Sequence, residues 1–100
     1  MVIVLGTAKM GEHALESGKA AFARMIEASR QEEGCIEYGY AVDVLDSSIM
    51  RITEKWVDDA ALAYHFQTPH MAQFQQALAG LDVKIVEVAK YQSDAGSPLV

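Results

Sequence analysis

Hydrophobic and polar positions recur along this chain with two periods, and the switches between them mark the elements. Val2 to Ala8 is an apolar run rich in β-branched residues, which predicts a strand buried on both faces. From Gly11 and Glu12 the period lengthens. Leu15, Phe22, Met25 and Ile26 fall on one side of a helix, with Gly18 and Ala21 beside them and Lys19, Arg24, Glu27, Arg30 and Gln31 largely off that side. Glu33-Gly34 predicts the helix end, with glycine taking the left-handed conformation after the cap. Over Cys35 to Val44 the period drops to two. Ile36, Tyr38, Tyr40 and Val42 form a bulky face, and Cys35, Glu37, Gly39 and Ala41 a small one. Asp46-Ser47-Ser48 reads as a turn, and Ile49 to Val57 as the second strand of an antiparallel hairpin. Met50, Ile52, Glu54 and Trp56 share one face of that strand.

Two helix starts follow in quick succession. Asp58 or Asp59 caps a short helix to about Phe66, because a carboxylate accepts the free N–H groups and opposes the helix dipole. Thr68-Pro69 starts the next: threonine suits the cap, and proline suits a first position whose N–H would have no partner. Met71, Phe74 and Leu78 line that helix, Gly80 stops it, and Leu81 to Tyr91 reads as a last strand. The order β-α-β-β-α-β, with its second helix split in two, predicts an α+β, ferredoxin-like fold: an antiparallel sheet with helices on one face. Residues 1–92 form the expected domain and residues 93–100 a tail.

Composition adds an expectation about assembly. Half of the 100 residues are hydrophobic, and both faces of the predicted sheet carry apolar groups. A sheet covered by helices on one side and bathed by water on the other would alternate more cleanly. The uncovered face is therefore expected to meet a second copy of the chain, giving a homodimer through sheet faces. The net charge is −6 and the eight Lys and Arg residues are dispersed, which argues against nucleic acid and against an anionic membrane. Cys35 is the only cysteine, so no intrachain disulfide or cysteine-based zinc cluster can form, and a reducing, cytoplasmic setting fits. The first ten residues lack a basic start and a cleavage signal, and no apolar run reaches membrane-spanning length.

The chemistry-bearing side chains concentrate between Glu54 and Phe74. His65 is the candidate base, since an imidazole exchanges protons near neutral pH. Trp56 and Tyr64 join it as catalytic candidates, offering an indole N–H and a phenol. Phe22, Met25, Tyr38, Phe66, His70, Met71 and Phe74 form the candidate substrate-binding set. Taken alone, His70 reads as a first-turn surface histidine. No metal site is expected: a spacing of five residues with a proline between suits one helical face poorly, and no carboxylate completes an obvious triad. Glu54 is expected to pair with Arg51 or Lys55, and Cys35 to behave as a small buried hydrophobe.

In order and spacing, four segments resemble the antibiotic biosynthesis monooxygenase family, which includes small quinol monooxygenases. They are Glu33-Gly34-Cys35-Ile36-Glu37-Tyr38, Glu54-Lys55-Trp56-Val57-Asp58, Ala61-Leu62-Ala63-Tyr64-His65 and Thr68-Pro69-His70-Met71. The resemblance runs from Val2 to Tyr91. It implies a dimeric α+β barrel and the oxidation of a small quinol- or phenol-type aromatic by dioxygen, with no metal, flavin or haem cofactor. His65 would be the base, and Trp56 and a tyrosine would shape the pocket. A haem-degrading subgroup carries an asparagine on its first strand. Val2 to Ala8 has none, so haem degradation is not expected. The alternative function is a non-catalytic dimeric domain that binds a small ligand or serves a stress role.

Overall fold

Seven elements follow one another: β1 (Val2–Met10), α1 (Ala14–Arg30), β2 (Cys35–Val42), β3 (Ile49–Trp56), α2 (Asp59–His65), α3 (Pro69–Ala79) and β4 (Val83–Gln92). The structure, a computed structural model, describes residues 1–100. All strand pairs are antiparallel, in the order β2-β3-β1-β4. The α+β architecture expected from the sequence is the one observed.

Register aligns the residues that matter. Val4, Glu54 and Tyr38 lie in one row across the sheet, and Val2, Trp56 and Cys35 in the next. These rows face the helices. Val2, Val4, Tyr38 and Trp56 join Met25 of α1, Leu62 of α2 and Met71 of α3 in one buried cluster. A second cluster at the other end unites Ala8, Met10, Ala14, Phe22 and Met50. The burial follows from period two: Val2, Val4, Ala8 and Met10 are buried, whereas Leu5 between them is 48% exposed. The expectation of a β1 buried on both faces is corrected accordingly, because no helix covers its second side. β4 is exposed or half-buried along its whole length.

Three local expectations also change. β1 runs on to Met10, whose N–H donates to Ser48 O, and Gly11 N–H donates to Asp82 O, so α1 begins at Ala14 rather than Gly11. Ile36 leaves the inner face because the register shifts between Cys35 and Glu37, turning its side chain outward. Gly34 does not adopt a positive φ. What it supplies is a close approach: a Cβ at this position would lie 2.3 Å from Ala61 Cβ on α2. The turn after α1 can therefore sit directly against α2, and Val57 N–H donates to Gly34 O at 2.9 Å.

Candidate functional site

The site is built where the end of α1 meets the break between α2 and α3. Arg30 Nε donates to Tyr38 O at 2.8 Å and pins the last turn of α1 to β2. Just beyond, Cys35 N–H donates to Glu32 O, and this tight turn carries the Glu32 side chain inward. On the other side, Asp58 accepts from Ala61 N–H and starts α2, which ends at His65. Thr68 then serves both helices. Its hydroxyl donates to His65 O at 2.8 Å and accepts from Met71 N–H at 3.3 Å. Pro69 occupies the first position of α3.

The break brings two histidines onto one oxygen. His65 Nδ1 lies 2.6 Å from Glu32 Oε2, and His70 Nε2 lies 2.8 Å from the same atom. The expectation that these histidines are badly spaced, with no carboxylate to join them, is thereby corrected. They need not share a helical face, because they stand on different helices that turn toward Glu32.

His65 is almost fully buried, at 1% exposure. Its ring packs on Trp56 at 4.6 Å between centroids and on Tyr38 at 5.4 Å. An ionised carboxylate has no proton to give, so the Glu32 contact places the proton of each ring on the nitrogen that faces it. For His65 this leaves Nε2 with a lone pair, and that buried atom has no hydrogen-bond partner. Glu32 Oε1 and Ser29 Oγ are buried without partners as well.

More polar groups gather on the sheet side. Trp56 Nε1 donates to Glu54 Oε1 at 2.9 Å, and the Tyr38 and Tyr40 hydroxyls share a hydrogen bond of 2.7 Å. Burial raises the Glu54 carboxyl above its usual range, against the Trp56 N–H, which lowers it. Burial also pushes both phenols up, Tyr38 further than Tyr40, so they remain neutral donors over the physiological range. The expected Glu54 ion pair does not form. Lys55 meets Glu37 at 3.8 Å and Arg51 meets Asp43 at 3.0 Å on the opposite face of the strand, whereas Glu54 points inward. Cys35, half-buried opposite Trp56, has its thiol raised first by burial and then by Glu32.

Two cavities flank this polar centre. A cleft of about 860 Å³ opens between the end of α1 and the α2–α3 break, with Glu32, Glu33, Gly34, Tyr64, Pro69 and His70 in its wall. A smaller pocket of about 190 Å³ lies between α1 and β2, walled by Leu15, Phe22, Ile26, Tyr40, Val42 and Met50. The candidate substrate-binding residues do not enclose one space, because Met25, Tyr38, Trp56 and Met71 pack together in the core.

The predicted site residues therefore separate. His65, Trp56 and Tyr38 come together, and His70 reaches them through Glu32. Phe22 walls the smaller pocket, with Phe74 stacked against Tyr40 nearby. Met25 and Met71 are core. Tyr64 and Phe66 flank His65 in sequence yet are 65% and 63% exposed. Neighbouring helical residues diverge by about 100°, so a buried His65 turns both neighbours outward. Sequence reasoning missed Glu32 and Ser29 as members of the centre, and neither left a local signal; Tyr40 was within reach of it as a phenol on the strand face of Tyr38.

Comparison with known proteins bears on the family and the fold. The sequence profile described as antibiotic biosynthesis monooxygenase matches residues 1–77. An uncharacterised protein of a Synechocystis strain, sll1783, is 34% identical over 91 residues, which is 91% of this chain and 62% of that protein's length. The Escherichia coli protein YgiN, named a probable quinol monooxygenase, is 33% identical over 79 residues, covering 70% of this chain and 75% of its own. A crystal structure from Deinococcus radiodurans, which carries the family name provisionally, superposes with a TM-score of 0.90 at 26% identity and covers 100% of this chain and 99% of its own. With profile, sequence and fold in agreement, this chain belongs to the antibiotic biosynthesis monooxygenase family.

Proposed function

We propose that the protein is a cofactor-independent monooxygenase that oxidises a small hydroxyaromatic, of the quinol or phenol class, with dioxygen. The observation that carries this reading is His65: a buried imidazole held at Nδ1 by Glu32, with Nε2 free of any partner. A carboxylate that fixes one ring nitrogen prepares the other to take a proton. The pocket beside Tyr40 has the size and lining for one aromatic ring, since an apolar cavity of about 150 Å³ holds benzene. The name borne by YgiN points to the same substrate class.

In this mechanism His65 Nε2 removes the hydroxyl proton. It lines neither cavity in the structure, so the core side chains between it and the pocket beside Tyr40 must move aside as the substrate binds. The resulting aryloxide passes an electron to dioxygen, and the two radicals combine to a peroxide at a ring carbon. Loss of water from that peroxide leaves a carbonyl. One oxygen atom enters the ring and the other departs as water with two hydrogens from the substrate, so no outside reductant is required. Tyr38 and Tyr40 are held neutral by burial and share one hydrogen bond; Tyr40, which lines the pocket, donates its O–H to the developing oxyanion and accepts from Tyr38.

A second copy of the chain completes this reading. Leu5 and Tyr91, on the uncovered face of β1 and β4, are about half exposed, and Ile85 and Val88 are similarly exposed on the helix side of the same sheet edge, so apolar surface is left in water there. We place the homodimer interface there. Sedimentation should give a dimer at micromolar concentration, and Leu5→Arg with Tyr91→Arg, both on the uncovered face, should give a monomer. A monomeric wild type would remove the interface.

Dioxygen uptake with a panel of quinols tests the chemistry. His65→Ala should lower the rate by about 10²–10⁴-fold, the usual contribution of a positioned base. Equal rates in wild type and variant would take His65 out of the mechanism.

A further inference from the structure

Glu32, His65 and His70 do more than hydrogen-bond to one another. One ligand atom from each lies within 4.8 Å of the other two. They come from three separate segments, the turn after α1, the end of α2 and the first turn of α3, so the fold rather than local sequence assembles them. A carboxylate oxygen and two imidazole nitrogens form a donor set that borderline divalent ions take. We infer that these three residues form a binding site for a single divalent transition-metal ion of the zinc and cobalt(II) class.

A second observation points the same way. Glu32 Oε1 is buried and receives no hydrogen bond, although a carboxylate oxygen out of water is stabilised only by a donor or a cation. The two separations from Glu32 need little adjustment, and the two histidine nitrogens, within 4.8 Å of each other, close toward the same spacing. Tetrahedral bonds of about 2.0–2.1 Å set ligand atoms about 3.3 Å apart. The present separations from Glu32 Oε2 are 2.6 and 2.8 Å. Removing the bridging protons lets those gaps open by well under about 1 Å, as the longer metal-ligand spacing requires. Glu32 and His70 wall the cleft, so the fourth coordination position faces it and can hold water or an anionic group.

The ion and the base compete. To ligate through Nδ1, the neutral His65 ring must carry its proton on Nε2, which converts the free lone pair into an N–H. Metal binding therefore switches off proton abstraction. This consequence rests on the base assigned above, whereas the binding site does not.

The test uses chelator-treated wild-type protein titrated with Zn²⁺ against a chromophoric chelator, and with Co²⁺ followed by its visible absorption. One ion per chain is expected, with a tetrahedral Co²⁺ spectrum. Glu32→Gln and His70→Gln should each weaken Zn²⁺ at least tenfold, and His13→Gln should leave it unchanged. His70 is at the rim of the cleft, with a side chain 21% exposed, so its variant is expected to fold, and circular dichroism checks this. Absence of saturable binding at micromolar Zn²⁺ would overturn the site. So would Zn²⁺ affinity left intact by His70→Gln, or lost in His13→Gln. In active protein, Zn²⁺ should suppress dioxygen uptake and chelator should restore it. Site-specific binding without suppression would overturn the base and leave the metal site standing.

Discussion

At one end of the sheet, Ala8, Met10, Ala14, Phe22 and Met50 meet with no polar side chain among them. At the other end, Val2, Trp56, Tyr38 and Leu62 close around Glu54, His65 and Glu32. Both ends are built by the same strands and the same long helix. The first removes apolar surface from water, and its Phe22 and Met50 also wall the smaller pocket. The second places carboxylates, phenols and an imidazole out of water, where each costs free energy unless partnered, and it leaves three atoms without partners. A fold does not require that arrangement for stability. Its presence at one end only marks where the proton chemistry is held.

The contrast predicts opposite responses to substitution. Phe22→Ala at the apolar end should cost about 3–5 kcal/mol, read as a lowered denaturant midpoint, because the ring packs on Tyr40 and Phe74 and its loss leaves a cavity. A cost within the range of a surface change would show that this end is not the stabilising one. Glu54→Gln at the polar end should act in the other direction at neutral pH. The folded carboxyl is raised by burial, so between the ordinary carboxylate pKa and that raised value the folded chain holds more protons than the unfolded chain. Stability is then present at acid pH and falls as pH rises through that window. Glutamine can still accept from Trp56 N–H but carries no charge, so the variant should lose this part of the slope and be the more stable protein at neutral pH. A less stable variant there would mean that the charge itself is needed. Asp58→Ala should show the smallest effect, about 1 kcal/mol for a lost helix cap. Faster amide exchange should be confined to α2, beside the polar end, with the Phe22 end unaffected.

Much of this was legible in the sequence. Period two placed Tyr38, Tyr40, Glu54 and Trp56 on inward faces, and Asp58 and Thr68-Pro69 marked two helix starts at their observed positions. Local pattern also singled out His65. It could not supply Glu32, whose partners lie 33 and 38 residues away and meet it only after α1, α2 and α3 pack. Nor could it show that Gly34 serves a close approach to Ala61, since a glycine after a helix reads as a cap until the neighbouring helix is in place. The outward turn of Ile36 has the same origin. A bulge changes which residues face inward without changing the alternation of residue types.

The Glu32–His65 pair is reached most directly by its proton. Long-range ¹H–¹⁵N correlation spectra of the chelator-treated protein report which ring nitrogen of His65 is protonated. The structure predicts the proton on Nδ1, bonded to Glu32, with Nε2 as an unprotonated acceptor, and a disturbed Nδ1 resonance in Glu32→Gln. A proton on Nε2 with Nδ1 bare would contradict it, because the ring would then present a donor where the mechanism needs a base.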